Sequence, residues 1–283
     1  MTKKQKTRHV IVTCGSRGIG FAVASAFVKN GGKVLLVARD KKELSSAENT
    51  LGKNAFVCVA DVSKPSSRKK IAACIRKYFK NNVHVLVNAA GIYGPKGILE
   101  ENDPALWKKT IEVNLLGTVY MCALVLPLMK RKKFGRIINF SGGGDGPFPY
   151  FTAYSSSKGA VVRFTESLAA EVKDFGIMVN AVTPGAVNTK LTEEVLKAGP
   201  QKVGKEFYKR SLEQKKSGGV PPGKAAELIL FLASKQARFI SGKVLSAVRD
   251  DWKDSPKHRK EIEQSDIYNF RRIKPIDRGY DWR

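Results

Sequence analysis

Apolar residues fall along this chain in short unbroken runs, separated by longer stretches in which they recur every three or four positions. Val10–Thr13, Val34–Val37, Ala55–Val59, Val83–Val87, Arg136–Phe140, Met178–Val182 and Lys243–Val248 have the length and apolar content of buried strands. Between them, Gly18–Asn30, Lys41–Leu51, Pro65–Lys80, Pro104–Lys130 and Thr152–Phe175 carry helical spacing. The first of these helices is closed by Gly31-Gly32.

Strands alternating with helices of ten or more residues imply parallel pairing through right-handed crossovers. Strands apolar on both sides imply that both sheet faces are covered. The predicted fold class is therefore α/β: one Rossmann-like, doubly wound parallel sheet with helices on both faces, a single domain over residues 1–248. Ligands of such sheets bind at the carboxyl ends of the strands. Two segments break the alternation. Residues 186–222 are charged and interrupted by Gly199-Pro200 and Gly218-Gly219, which predicts a helical lid over a substrate. Residues 249–283 form a tail of mixed charge whose aromatics (Trp252, Tyr268, Phe270, Tyr280, Trp282) predict packing on its own domain or on a neighbouring subunit.

Composition narrows the function classes. The apolar stretch Met121–Met129 is broken by Pro127 and too short to span a bilayer, and the basic start Met1–His9 runs straight into the first strand without a signal-peptide core. A soluble cytoplasmic protein without a membrane partner is expected. Cys14, Cys58, Cys74 and Cys122 form no CxxC pair, and His9, His84 and His258 lie far apart, so free thiols and no metal are expected. The net charge of +26 includes clusters at Lys3-Lys4, Arg68-Lys69-Lys70, Lys130-Arg131-Lys132-Lys133 and Lys215-Lys216. None lies in a nucleic-acid motif, so the charge reads as a lysine-rich solvated surface rather than a nucleic-acid footprint.

The chemistry sits at the predicted strand ends. After the first strand comes Thr13-Cys14-Gly15-Ser16-Arg17-Gly18-Ile19-Gly20, and a helix follows at once. Glycines there let the backbone approach a pyrophosphate, and the free amides of the helix start bind its charge. Arg39, nineteen residues after Gly20, ends the second strand. An acid there would hold the ribose hydroxyls of NAD; an arginine pairs with the 2′-phosphate of NADP, so NADP(H) is expected over NAD(H). Arg17 can flank the same phosphate, and Asp40 reads as a solvent-facing residue or a cap of the next helix.

Tyr154 and Lys158 lie four residues apart on one helical face. A phenol near pKa 10 is a poor base at neutrality, and lowering it by about three units takes roughly 4 kcal/mol. One positive charge about 4 Å away at an effective dielectric near 20 supplies about that much. Alone, such a pair is more often two surface residues. Here Ser141 precedes Tyr154 by thirteen residues at the end of a strand, Asn88-Ala89-Ala90-Gly91 follows the fourth strand, and Pro184-Gly185 follows the sixth.

The glycine turn, Asp61-Val62, Asn88-Ala89-Ala90-Gly91, Asn114, Ser141, Tyr154 to Lys158 and Pro184-Gly185, taken in this order, resemble the motif series of the short-chain dehydrogenase/reductases over about residues 8–250. The resemblance implies an enzyme acting on a CH–OH or C=O group of a small molecule. It implies that Tyr154 exchanges the proton with the substrate oxygen, Lys158 tunes Tyr154 and binds the nicotinamide ribose, Ser141 hydrogen-bonds the substrate oxygen, and Asn114 holds a water behind Lys158. Gly15, Ser16, Arg17, Gly18, Ile19, Gly20 and Arg39 would hold the phosphates, Asp61 and Val62 the adenine, and Asn88, Ala89 and Gly91 would also bind the cofactor. Pro184, Gly185, Val187 and Thr189 would meet the nicotinamide end. A homodimer or homotetramer pairing through the helices near Pro104–Lys130 and Thr152–Phe175 is also implied.

Two departures stand out. Cys14 occupies the place of the first loop glycine, which predicts a wider turn or weaker cofactor binding. Aligned from the strand, the catalytic serine falls on Gly142; counted back from Tyr154, it falls on Ser141, the position with a hydroxyl. The rival readings are a non-catalytic NADP-binding regulator or scaffold and, from the charge alone, a nucleic-acid-binding protein. Lid lysines 190, 197, 202 and 205 suggest an anionic substrate, and Gly142–Gly146 a pocket wall of unusual shape.

Overall fold

The computed structural model describes residues 8–142 and 146–282. Seven strands, β1 (His9–Thr13), β2 (Lys33–Ala38), β3 (Ala55–Val59), β4 (Val85–Asn88), β5 (Gly135–Phe140), β6 (Ile177–Thr183) and β7 (Val244–Ser246), make one sheet in the order β3-β2-β1-β4-β5-β6-β7. All pairs are parallel. β1 is central, with Val10 beside Val34 on one side and Val85 on the other. The strand order reverses there, which opens a crevice at the carboxyl ends of β1 and β4.

Strand alternation divides the core in two. Val10, Val12, Leu36 and Val87 join Phe27 and Leu228 on one side of the sheet. Ile11, Leu35, Leu86 and Ile137 join Ile75, Met121 and Leu168 on the other. Helices α1 (Gly18–Lys29), α2 (Lys41–Leu51) and α10 (Pro222–Leu232) thus cover the first face, and α3 (Ser67–Phe79), α5 (Gly117–Lys132) and α6 (Thr152–Glu171) the second. The predicted doubly wound single domain is what the chain forms. β4 starts two residues later than its sequence pattern, at Val85 beside Val10.

The predicted Pro104–Lys130 helix is α4 (Pro104–Ile111), a π-helical turn at Glu112–Leu116, and α5 in one continuous run. By length and composition alone that run, Pro104–Lys132, could cross a membrane. Its Met121, Cys122, Val125 and Met129 are instead buried against the sheet, as in a core helix. Between β6 and α10 lie α7 (Lys190–Ala198), α8 (Pro200–Val203) and α9 (Lys205–Ser217), with positive-φ glycines 199, 204 and 218 at their joints. The tail folds back on its own domain. Trp252 and Ile262 of α11 (Arg259–Gln264) and its approach are buried, and Tyr268 O accepts from Val244 N at 2.9 Å, covering the outer edge of β7. Beyond Phe270, the residues Ile273, Ile276, Tyr280 and Trp282 are exposed.

Candidate active site

The chain leaves β1 through Cys14–Arg17 and enters α1. Cys14 adopts φ 53°, the left-handed conformation that a glycine would take freely, and its N–H donates to Val37 O at 2.7 Å. Its Cβ is therefore absorbed as backbone strain within a turn still anchored to β2. A Cβ on Gly20 would stand 2.3 Å from Cys14 O, so the helix lies directly on the turn only because Gly20 has none. No side chain caps α1, whereas Asp40, Asp103 and Thr189 cap α2, α4 and α7. Gly18 and Ile19, which carry the uncapped first amides, line a cleft of about 1080 Å³. Free amides at the positive end of a helix suit an anion.

The cleft runs from Arg39, Asp40 and Glu43 past Asp61 and Val62 to Ala89–Ile92, with Thr189–Glu194 opposite. At its outer end Arg17 pairs with Glu43 at 2.6 Å, and Ser16 Oγ donates to the same carboxylate at 3.1 Å. Arg39 is exposed and forms no ion pair among the described residues. Asp40 caps α2, accepting from Glu43 N at 2.9 Å, the second of its two sequence-based readings. Burial works against the Asp61 carboxylate, yet two hydrogen bonds from Ser63 and the charges of Lys109 and Arg39 hold its pKa below the ordinary value. At the inner end, Thr13 Oγ1 accepts from Ala89 N and Ala90 N at 2.9 and 3.0 Å, which ties the loop after β4 to β1.

Beyond this loop stands α6, whose buried face carries Tyr154, Ser157, Lys158, Val161 and Thr165 at helical spacing. Lys158 Nζ donates to Phe140 O at 2.7 Å and lies 5.8 Å from the Tyr154 ring centroid. Asn114 sits in the π-helical turn, fully buried; Nδ2 donates to Ile92 O and Ser157 Oγ, and Oδ1 accepts from Ile92 N, each at 2.9 Å. A Cβ on Gly91 would stand 3.5 Å from Asn114 Oδ1 and 3.6 Å from Lys158 Nζ. The cleft therefore reaches Asn114 and Lys158 at Gly91, with Tyr154 one helical turn before Lys158.

Burial pushes Lys158 down to about 8. The Tyr154 phenol moves the other way. Burial first, and the neighbouring Tyr93 second, raise it above its ordinary value. The expectation that Lys158 alone lowers the phenol does not hold in this state, because the ammonium is spent on Phe140 O and aromatic rings enclose the hydroxyl. Tyr93 packs edge-on to Tyr154 at 4.7 Å, and Phe148 at 6.3 Å.

Other expected site residues fall elsewhere. Asn88 does not line the cleft; its Nδ2 donates to Asn139 Oδ1 at 2.9 Å inside the core, so it braces β4 against β5. Pro184, Gly185 and Val187 do not line it either. Val187 pairs with Gly219 and fixes the base of the lid, and the lining begins at Asn188. Gly15 and Gly20 serve close packing behind the turn. Ser141 continues β5, its N–H donating to Val182 O at 3.0 Å, while its Oγ is enclosed without a hydrogen-bond partner among the described residues. The residue against the Tyr154 hydroxyl is Gly142, where a Cβ would stand 3.0 Å from it. Of the suggested wall Gly142–Gly146, residues 143–145 lie outside the described residues, as do Lys3-Lys4. Lysines 190, 197, 202 and 205 are all exposed. Sequence reasoning missed Glu43, Tyr93, Phe148 and Phe207, none of which belongs to a spaced motif; only folding brings them to the cleft or to Tyr154. Thr13 stood in the glycine turn, but its tie to the loop after β4 was not foreseen.

A family model for the short chain dehydrogenases matches residues 8–199. The chain belongs to this family. It is 34% identical over 250 residues to 2-(S)-hydroxypropyl-CoM dehydrogenase 3 of Xanthobacter autotrophicus, covering 86% of this chain and 95% of that one. It is 31% identical to the 3-oxoacyl-(acyl-carrier-protein) reductase of Salmonella typhimurium, over 83% and 93% of the two chains. Among solved structures, a variant actinorhodin polyketide ketoreductase with NADPH superposes with a TM-score of 0.77 at 30% identity, covering 87% of this chain and 97% of that one. The chain is thus an oxidoreductase of a family that transfers hydride between a nicotinamide cofactor and a carbonyl or alcohol.

Proposed function

We propose that this chain is an NADP(H)-dependent reductase of a small carbonyl compound, the reverse alcohol oxidation sharing the same groups. The observation that carries the reading is the junction at Gly91. There a cleft with free helix amides and two arginines at its far end reaches Lys158, which shares the buried face of α6 with Tyr154. The amides of Gly18 and Ile19 would bind the pyrophosphate, Arg17 and Arg39 the 2′-phosphate, Asp61 and Val62 the adenine, and Ala89, Gly91 and Thr189 the nicotinamide half. Bound NADPH would supply the hydride. Tyr154, whose phenol keeps its proton in this enclosed site, would donate that proton to the developing alkoxide. Lys158, near the middle of its titration at neutral to mildly alkaline pH, would steady the phenolate left behind and reach the ribose. Asn114 would hold the loop after β4 and the water behind Lys158.

The unpartnered Ser141 hydroxyl is the second donor we assign to the substrate oxygen. Ser141→Ala would then lower kcat with KM for NADPH unchanged; an unaltered kcat would leave Tyr154 as the sole donor, with Gly142 beside it. The relatives named a 3-oxoacyl reductase and a ketoreductase with NADPH support the NADP reading. The deciding experiment is Tyr154→Phe. Turnover should fall at least a hundredfold, an order typical of lost acid catalysis, with NADPH binding intact. A wild type that binds NADPH and reduces no carbonyl panel member would favour the non-catalytic, cofactor-sensing reading.

A homodimer or homotetramer is part of the same proposal. Ile98, Leu99 and Leu106 are exposed beside an apolar depression lined by Trp107, Ile111 and Leu116 on the helical run already named for pairing. A reducing compartment such as the cytoplasm suits four free thiols.

A further inference from the structure

The wall around Tyr154 comes from three parts of the chain that only the fold unites: Tyr93 after β4, Phe148 and Phe151 ahead of α6, and Phe207 on α9. Phe148 and Phe151 stack at 4.5 Å with planes 11° apart. Phe207 meets both edge-on at 5.0 and 5.3 Å, and Tyr93 tilts against Phe151 at 5.0 Å. Val195 of α7 and Val203 of α8 close the remaining sides. Two cations touch the cluster from its edge, Lys96 at 5.8 Å from the Tyr93 ring and Arg210 at 5.9 Å from the Phe207 ring, while Phe148 and Phe151 meet no cation among the described residues. The four lid lysines are exposed, Lys96 pairs with Glu194 at 3.3 Å at the rim, and Lys158 points to a backbone carbonyl.

Tyr154 does not line the open cleft. Space for a substrate oxygen beside it must therefore come from parting the lid rings from the wall rings. The joints for that motion are the positive-φ glycines 199, 204 and 218, with Tyr150 packed against Gly204. Parting Phe207 from Phe148 and Phe151 uncovers flat apolar faces and breaks edge-to-face contacts, which a hydrated or charged group cannot restore. A planar ring restores both.

We infer that the substrate carries an aromatic or conjugated planar ring next to the reacting carbonyl, and that Phe148 and Phe207 select for it by sandwiching that ring in place of each other. This rests on the reductase reading for turnover, but the wall can be tested without it. Among the four lid lysines that suggested an anionic substrate, Lys190 lines the cleft while Lys197, Lys202 and Lys205 do not.

The test uses the NADPH-saturated full chain and three ketones of similar size: phenyl methyl ketone, cyclohexyl methyl ketone and an open-chain hydroxyketone. The expected result is a kcat/KM at least tenfold higher for the phenyl than for the cyclohexyl compound, because the latter has the apolar bulk without the flat face. Phe207→Leu should reduce that ratio to about threefold or less, and Phe148→Leu should do so independently if the first variant folds poorly. Equal or better turnover of the cyclohexyl compound or the hydroxyketone overturns the inference. In parallel, calorimetry reads binding of each ketone to the NADP⁺-loaded protein. Phenyl-selective binding with no turnover of any ketone would sink the reductase reading and keep the ring site. Turnover without phenyl selectivity would do the reverse.

Discussion

Glu43 sits among the groups assigned to the 2′-phosphate, and replacing it with glutamine separates the NADP and NAD readings. Its carboxylate holds Arg17 at 2.6 Å, with the two side chains 35% and 44% exposed. An ion pair that open to water is worth only about 0.2–1 kcal/mol net, so freeing Arg17 returns at most about 1 kcal/mol to a competing anion. Removing one negative charge roughly 8 Å from a doubly charged phosphate, with water-like screening, adds about 1 kcal/mol. Glu43→Gln keeps the size of the side chain and an oxygen to accept from Ser16. The sum, about 1–2 kcal/mol, corresponds to about 5- to 30-fold tighter NADP⁺ binding. NAD⁺, which has no 2′-phosphate, should change less than about twofold. Isothermal titration with both cofactors at 50 and 300 mM salt reads this directly, and the gain should shrink at the higher salt. An unchanged NADP⁺ affinity would refute the argument. Weaker NAD⁺ binding with NADP⁺ untouched would refute it more sharply, because Glu43 would then be an acceptor for ribose hydroxyls.

Gly20→Ala drives a methyl group to 2.3 Å from Cys14 O; overpacking of this kind costs about 1–3 kcal/mol, and the displaced turn should lose NADPH affinity together with thermal stability. Cofactor binding at wild-type strength in that variant would contradict the turn's role. His84, lowered to about 4 by burial and by His9, Lys132 and Arg8, stays neutral in the fold and accepts from His9 N at 2.9 Å. The unfolded chain binds this proton near 6.5, so between about pH 6.5 and 4 the unfolded state holds more protons and stability falls on acidification. Urea midpoints at pH 7 and 5 check the sign, and His84→Gln should flatten the slope. Trp252→Ala removes a buried ring 5.3 Å from Phe231 and should cost about 3–5 kcal/mol. Limited proteolysis should then cut the loosened tail first, whereas an unchanged melting temperature would mean that the tail is not part of the cooperative unit.

The sequence determined the fold class and most of the cofactor cleft because both rest on local physics. Buried parallel strands must be apolar throughout, and a phosphate turn must have glycine where backbones touch. An i, i+4 pair on a helix must share a face, so Gly18, Arg39 and the pairing of Tyr154 with Lys158 were legible from the residues themselves, whereas Asp61 and the role of the pair came from the family resemblance. The tertiary structure decided everything that depends on residues distant in sequence. Asn88 looked like a cleft residue by its place after β4, but its amide is claimed by Asn139, fifty-one positions away on the neighbouring strand. Glu43 meets Arg17 only because α2 packs beside the glycine turn. The Tyr154 phenol was expected to be lowered by Lys158, yet its pKa is raised, because desolvation is summed over every group that surrounds it. Those groups, Tyr93 and the rings of Phe148, Phe151 and Phe207, come from segments that no local pattern connects. Spacing along a chain specifies which side chains share an element, whereas burial and pairing depend on which elements meet.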